Sequence, residues 1–145
     1  MSAMSTDAQT TPHDPTAFLH DAMPLCATLG MTSQDMSPEA VSVSIDWAPE
    51  LCTSGALLHG GVLMALADSA GAACAYVNLP EGAAGTSTIE SKSNFLGGVT
   101  AGTVTATARP LHVGSMTIVI ETEVRNGGRL VAKVTQTQAV LRPRA

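Results

Sequence analysis

Residues 41–47 alternate apolar and polar side chains, with Val41, Val43, Ile45 and Trp47 on one parity and Ser42, Ser44 and Asp46 on the other. This period of two predicts a strand with one buried face. A partner strand is expected near residues 31–36, with the turn at Ser37-Pro38. Four more strands are expected in the second half of the chain. Residues 86–95 form one, closed by Gly97-Gly98, and residues 103–112 alternate Val104, Ala106 and Ala108 with threonines as far as Gly114. Met116, Ile118, Ile120 and Val124 then alternate with Glu121, Glu123 and Arg125, and Asn126-Gly127-Gly128 predicts a hairpin into a last strand at residues 130–141.

Two segments carry helical spacing instead. Phe18, Leu19, Ala22, Leu25 and Leu29 recur at three- and four-residue intervals, with Pro24 as a kink or break. His59-Gly60-Gly61 opens a run of good helix formers that ends near Tyr76 and is stopped by Asn78-Leu79-Pro80, while residues 47–58 read as a loop. This second helix has almost no charge, so it is expected to be buried nearly all round. The predicted order is a helix, two strands, the apolar helix and four strands in an antiparallel meander. That is an α+β domain: a curved antiparallel sheet of five to six strands around one long central helix. Residues 1–15, rich in Ser, Thr, Asp and Pro, read as a mobile tail, and residues 16–145 as a single domain.

Composition sharpens this. Hydrophobic residues make up 45% of the 145 positions, aromatics 3% and charged residues only 13%, against roughly 25% charged in a typical soluble domain. A chain this poor in charge has difficulty solvating a whole monomer surface, which points to surface shared with another subunit. The formal charge of −5 argues against a nucleic-acid or anionic-membrane partner. Cys26, Cys52 and Cys74 form no C-x-x-C pair and leave an odd thiol, favouring a reducing compartment. No signal peptide is readable in residues 1–11, and the small-apolar stretch at 62–77 is short for a bilayer and contains Asp68. A cytoplasmic location is therefore expected.

The chemistry is concentrated in the apolar helix. Asp68 has Met64, Ala65, Gly71 and Ala72 as its helical neighbours, and none of them can pair with a carboxylate. An unpaired buried charge is costly, so Asp68 either meets a structural partner from a strand or does chemical work. Gly60 and Gly61 stand where the helix begins, where backbone N–H groups lack acceptors and the dipole is positive. Such a place suits an oxygen that gains negative charge, although the glycines would equally serve a tight turn. From Gly60 to Asp68 is eight residues, a helical rise of about 12 Å. Both groups would have to lie within about 3 Å of the reacting atoms. One helix cannot do this, whereas two antiparallel helices related by a two-fold axis can. If the two residues share a site, that site lies between subunits.

The pattern His59-Gly60-Gly61-x6-Asp68, opening a small-residue helix, resembles the hotdog-fold acyl-CoA thioesterases, specifically the phenylacetate-pathway (PaaI-like) branch of the 4-hydroxybenzoyl-CoA thioesterase superfamily. The resemblance extends over residues 25–141 and includes Ser93-Asn94-Phe95-Leu96 and Gly127-Gly128-Arg129-Leu130-Val131-Ala132. It implies a hotdog fold, a homodimer or dimer of dimers, and hydrolysis of an acyl-CoA thioester without a metal or other cofactor. It further implies that the Gly60 N–H polarises the thioester carbonyl and that Asp68 of the partner subunit acts as nucleophile or general base. His59 would line the site, Thr88 would assist as a hydroxyl residue with Ser87 as the fallback, and Gly61, Ser69, Ser87 and Asn94 would contact substrate. Where relatives carry Arg-Pro after Asn-Phe-Leu and a Gly-Arg later, this chain has Gly97-Gly98 and Gly114-Ser115, leaving Lys92 and Arg109 as candidate contacts for the CoA phosphates.

Two other functions fit the same residues: hydration or dehydration of an acyl thioester through His59, and acyl-CoA binding without turnover. No G-x-S-x-G elbow, nucleotide-binding loop or metal-spaced His/Cys cluster is present.

Overall fold

The computed structural model describes residues 11–145, so the first ten residues of the expected tail lie outside the described residues. Asp14 and Pro15, also assigned to that tail, instead start a helix: Asp14 accepts the Ala17 N–H at 3.0 Å and Pro15 takes the first helical position. This helix is α1 (Pro15–Ala22). Pro24 breaks the segment as expected, and α2 (Pro24–Leu29) follows after Met23. The strands are β1 (Thr32–Met36), β2 (Val41–Asp46), β3 (Gly85–Phe95), β4 (Thr103–Val113), β5 (Thr117–Asn126) and β6 (Arg129–Leu141). Between β2 and β3 lies the long helix α3 (Gly60–Val77).

All six strands form one antiparallel sheet in the order β1-β2-β4-β5-β6-β3. This corrects the expected four-strand meander, because β3 pairs with β6 at the far edge and not with its sequence neighbour β4. Periodicity reports which face of a strand is buried and says nothing about its neighbour. The connection at residues 96–102 can extend about 23 Å, and three strand spacings require only about 14 Å. It is held across the sheet end by the Leu96 N–H on the Val131 carbonyl, the Leu58 N–H on that of Val99 and the Trp47 N–H on that of Gly102.

α3 lies on the face of the sheet lined by Val43, Ile45, Val104, Ala106, Ile118, Ile120, Val124 and Val134, all buried. Its alanines Ala67, Ala70, Ala73 and Ala75 are buried too, and their small side chains let sheet and helix approach closely. At Gly71 the approach is closest: a Cβ there would lie 2.4 Å from the Gln136 amide carbon. With 18 residues, α3 is long and apolar enough to cross a bilayer by length and composition, contrary to the reading of residues 62–77 as too short; here it is the central helix against the sheet. Nor is it buried all round. Gly61, Met64 and Tyr76 are exposed, with Ala65, Asp68 and Ala72 half-buried between them, so one stripe of the helix is open along its whole length.

Candidate active site

Asp68 sits on that open stripe, where it meets side chains from the two strands at the sheet edge. The Thr88 hydroxyl on β3 donates to Asp68 Oδ1 at 2.8 Å, and Gln136 Nε2 on β6 donates to the same oxygen at 3.1 Å. Gln138, two residues further along β6, donates from Nε2 to Thr88 Oγ1 at 2.6 Å and accepts from the Thr86 hydroxyl at 3.0 Å. Both glutamines are fully buried. Because the Thr88 oxygen already accepts from Gln138, its single proton is directed to Asp68. Oδ1 thus takes both donors, and Oδ2 is left to act on a substrate or water.

The N-terminus of α3 supplies the second element. His59 is its N-cap, and His59 Nδ1 accepts the Gly61 N–H at 2.8 Å. A neutral His59 therefore carries its proton on Nε2. The Gly61 N–H is committed to this cap, whereas the Gly60 N–H, first in the helix, has no acceptor among the described residues. Gly60 lies under the edge of the Phe95 ring, with a virtual Cβ 3.3 Å from Phe95 Cζ. Of the two glycines, Gly60 is the one with a donor to offer.

The sheet edge also explains why residues 86–95 look polar on both faces. The β3–β6 register shifts between Thr88 and Glu90, a bulge that leaves Ile89 65% exposed. Before it, Thr86 and Thr88 face α3; after it, Ser91, Ser93 and Phe95 do, opposite the buried Gln136, Val134 and Ala132. Ser87 therefore alternates away from Asp68. Asn94 lies on the outer face too, where its Oδ1 accepts from Lys92 Nζ at 2.9 Å. Ser69 turns into the core, donating to the Ala65 carbonyl at 2.7 Å and accepting from Cys26 Sγ at 3.3 Å. Burial pushes the Cys26 thiol above its ordinary pKa, opposed by the Ser69 hydrogen bond and reinforced by the nearby Asp68 charge. Arg109 stands opposite Glu121 in the β4–β5 register. Of the residues singled out from sequence, the fold thus brings Asp68 and Thr88 into contact at mid-helix, sets His59, Gly60 and Gly61 at the N-terminus of α3, and separates Ser69, Ser87 and Asn94 from the Asp68 carboxylate, although Ser87 lines the cavity that adjoins Thr88.

The thioesterase-superfamily sequence profile matches residues 55–133, more than half of the chain, a span that holds His59, Gly60, Asp68 and Thr88. A Mycobacterium tuberculosis protein named as a candidate esterase is 30% identical over 108 residues, covering 73% of this chain and 76% of the relative. The chain belongs to the thioesterase superfamily. Its fold is that of the hotdog thioesterases: a Pseudomonas aeruginosa thioesterase, solved as a point variant, superposes with a TM-score of 0.82 at 26% identity, covering 92% of this chain and 96% of that one. A phenylacetic-acid-degradation-related protein of Ralstonia eutropha shares the fold with a TM-score of 0.75 at 24% identity, over 81% of this chain and 90% of that one. The protein is a thioester hydrolase.

Within this thioesterase, Gln136 and Gln138 are the site residues that sequence reading passed over, and both lie beyond the matched span. Their signal was present in parity. Ala132, Val134, Gln136 and Gln138 share one face of the last strand, and two glutamines continuing a buried apolar row need polar partners. Gln136 Oε1 is buried without a partner among the described residues, so the amide is held by Asp68 on one side and by packing against Gly71 on the other.

Proposed function

We propose that this thioesterase hydrolyses acyl-CoA esters at a site shared by two copies of the chain, with Asp68 of one copy facing Gly60 of the other. The observation that carries this reading is the fixed Asp68 carboxylate on an open, otherwise apolar helix stripe, with Oδ2 unengaged among the described residues. Gly60 lies about 12 Å away along the same helix, too far for both groups to touch one carbonyl. Met64 and Tyr76 on the same stripe are 42% and 37% exposed, and Ile89 and Leu96 are exposed at the β3 edge, so apolar surface that favours a second copy surrounds the carboxylate.

In the reaction, the thioester carbonyl oxygen accepts the Gly60 N–H at the positive end of α3. Asp68 Oδ2 takes a proton from water as the water oxygen bonds to the carbonyl carbon, and the C=O electron pair moves onto the oxygen. When that pair returns, the C–S bond breaks, sulfur leaves with the bonding electrons and takes the proton held on Asp68, which returns to the carboxylate, and the products are a carboxylic acid and the thiol of CoA. Attack by Oδ2 itself, followed by hydrolysis of the anhydride, has the same balance; a single turnover in heavy-oxygen water separates the two, since only this route labels Asp68.

The test is thiol release from a series of acyl-CoA esters by the wild-type protein and Asp68→Asn. The proposal expects release from at least one ester and a loss of about 10²–10⁴-fold in kcat for the variant. Full activity in Asp68→Asn, or no release from any CoA ester, would overturn it.

A further inference from the structure

A cavity of about 420 Å³ begins at Thr88, the residue that donates to Asp68, and runs between α3, the start of β3 and the α1–α2 pair. Its length follows from the helix. Ala72 and Tyr76 line it and succeed Asp68 by four and eight residues, so all three share one face of α3. From Asp68 to Tyr76 the rise is about 12 Å, and an extended chain advancing about 3.5 Å per three bonds covers that in about ten bonds.

The lining decides the chemistry. Its walls are apolar and small at Ala22, Ala72 and Ala73, and two turns from Asp68 it meets the Phe18–Tyr76 ring pair, whose centroids are 5.3 Å apart. No lining side chain is charged at neutral pH. At the polar edge Thr86, Thr88 and Gln138 are hydrogen-bonded to one another and to Asp68, and Ser87, which also lines the cavity, adds only a neutral hydroxyl, so the edge offers nothing to pair a charged substituent.

The geometry points to an uncharged aliphatic acyl chain of about eight to ten carbons as the group this cavity takes, lying along α3 with its carbonyl at Asp68 and its methyl end at the Phe18–Tyr76 rings. This rests on the acyl-CoA reading above. Each methylene that enters the cavity raises kcat/KM by up to about fourfold, until the length is filled. A terminal carboxylate is excluded because burying it among uncharged walls leaves it unpaired.

The experiment is kcat/KM for butyryl-, octanoyl-, decanoyl- and hexadecanoyl-CoA and for the ω-carboxydecanoyl ester, on the wild-type protein and on Ala72→Leu. Alongside it, calorimetric titration of the Asp68→Asn protein with the same esters measures binding while the thioester survives. The wild type is expected to favour octanoyl or decanoyl over butyryl, hexadecanoyl and the ω-carboxy ester by at least tenfold. Ala72→Leu fills the passage one turn beyond Asp68 and is expected to lower the decanoyl-to-butyryl ratio at least tenfold. A flat chain-length profile, a hexadecanoyl optimum, equal use of the ω-carboxy ester or an unchanged ratio in Ala72→Leu would overturn the assignment. The two readings fail separately. If no ester releases thiol, acyl-CoA hydrolysis is refuted, while affinities in Asp68→Asn that rise from butyryl to decanoyl support the cavity assignment and length-independent affinities refute it.

Discussion

Replacing Gly60 by proline removes one hydrogen-bond donor and very little else. Gly60 is the first residue of α3 after the His59 N-cap, so its N–H makes no helical bond and proline is well accommodated there. The residue before a proline must be extended, and His59 already has φ −63° and ψ 133°. The added Cβ meets the Phe95 ring at 3.3 Å, but Phe95 is 52% exposed and can yield by a few tenths of an ångström. Gly60→Ala makes the same contact and keeps the N–H, so the ratio of the two variants isolates the donor. Loss of one donor to a developing oxyanion costs about 10²–10³ in kcat, or about 2.7–4 kcal/mol. Gly60→Pro should therefore fall by that factor below Gly60→Ala in a continuous thiol-release assay, with thermal unfolding midpoints within a few degrees of each other. A Gly60→Pro enzyme within fivefold of Gly60→Ala would refute the assignment of the carbonyl to this N–H.

Thr88→Val removes a hydroxyl donor to a carboxylate, an interaction worth about 1.5–3 kcal/mol. We expect kcat to fall about tenfold to a hundredfold with little change in KM and to recover in Thr88→Ser; equal losses in both variants would point to a packing role instead. Gly71→Ala drives a Cβ to within 2.4 Å of the buried Gln136 amide, so urea denaturation should show a loss of about 1–3 kcal/mol, with reduced kcat because Gln136 can no longer hold Asp68. Burial pushes the Cys74 thiol from 9.0 to about 11. The unfolded thiol ionises first as pH rises, so this contribution to stability is complete below pH 9 and is lost between about 9 and 11. Urea midpoints at pH 8 and 10.5 should diverge more in the wild type than in Cys74→Ala.

The elements themselves were legible because each apolar run carries its own period: Val41 to Trp47 alternates by two, and the break at Pro24 is where proline ends a helix. Gly60 and Asp68 stand out as candidates for a different reason, since a glycine pair opening a helix and an acid with no helical partner are conspicuous on an uncharged segment. What escaped depends on contacts across the chain. Nothing in residues 96–102 indicates that they cross the sheet end and carry β3 to the far edge beside β6. The bulge at Ile89 breaks the parity of β3, so Asn94 cannot be assigned a face from alternation alone. Ser69 is adjacent to Asp68 in sequence but about 100° round the helix from it, and the fold uses that rotation to point it at Cys26. The open stripe of α3 was hidden for the opposite reason: Met64, Ala72 and Tyr76 are as apolar as the residues on its buried side, so composition alone implied burial all round.

The shared site is tested most directly by mixing two inactive proteins. Asp68→Asn retains the Gly60 donor, and Gly60→Pro retains the Asp68 carboxylate. If each site takes one residue from each copy, a mixed dimer has one site with both groups intact and one with neither. Unfolding and refolding the two variants together in equal amounts should then restore about a quarter of wild-type activity, since about half of randomly assorted dimers are mixed and each carries one working site of two. Recovery near that value is the result predicted here. A mixture no more active than its separate components would contradict a site built between two copies.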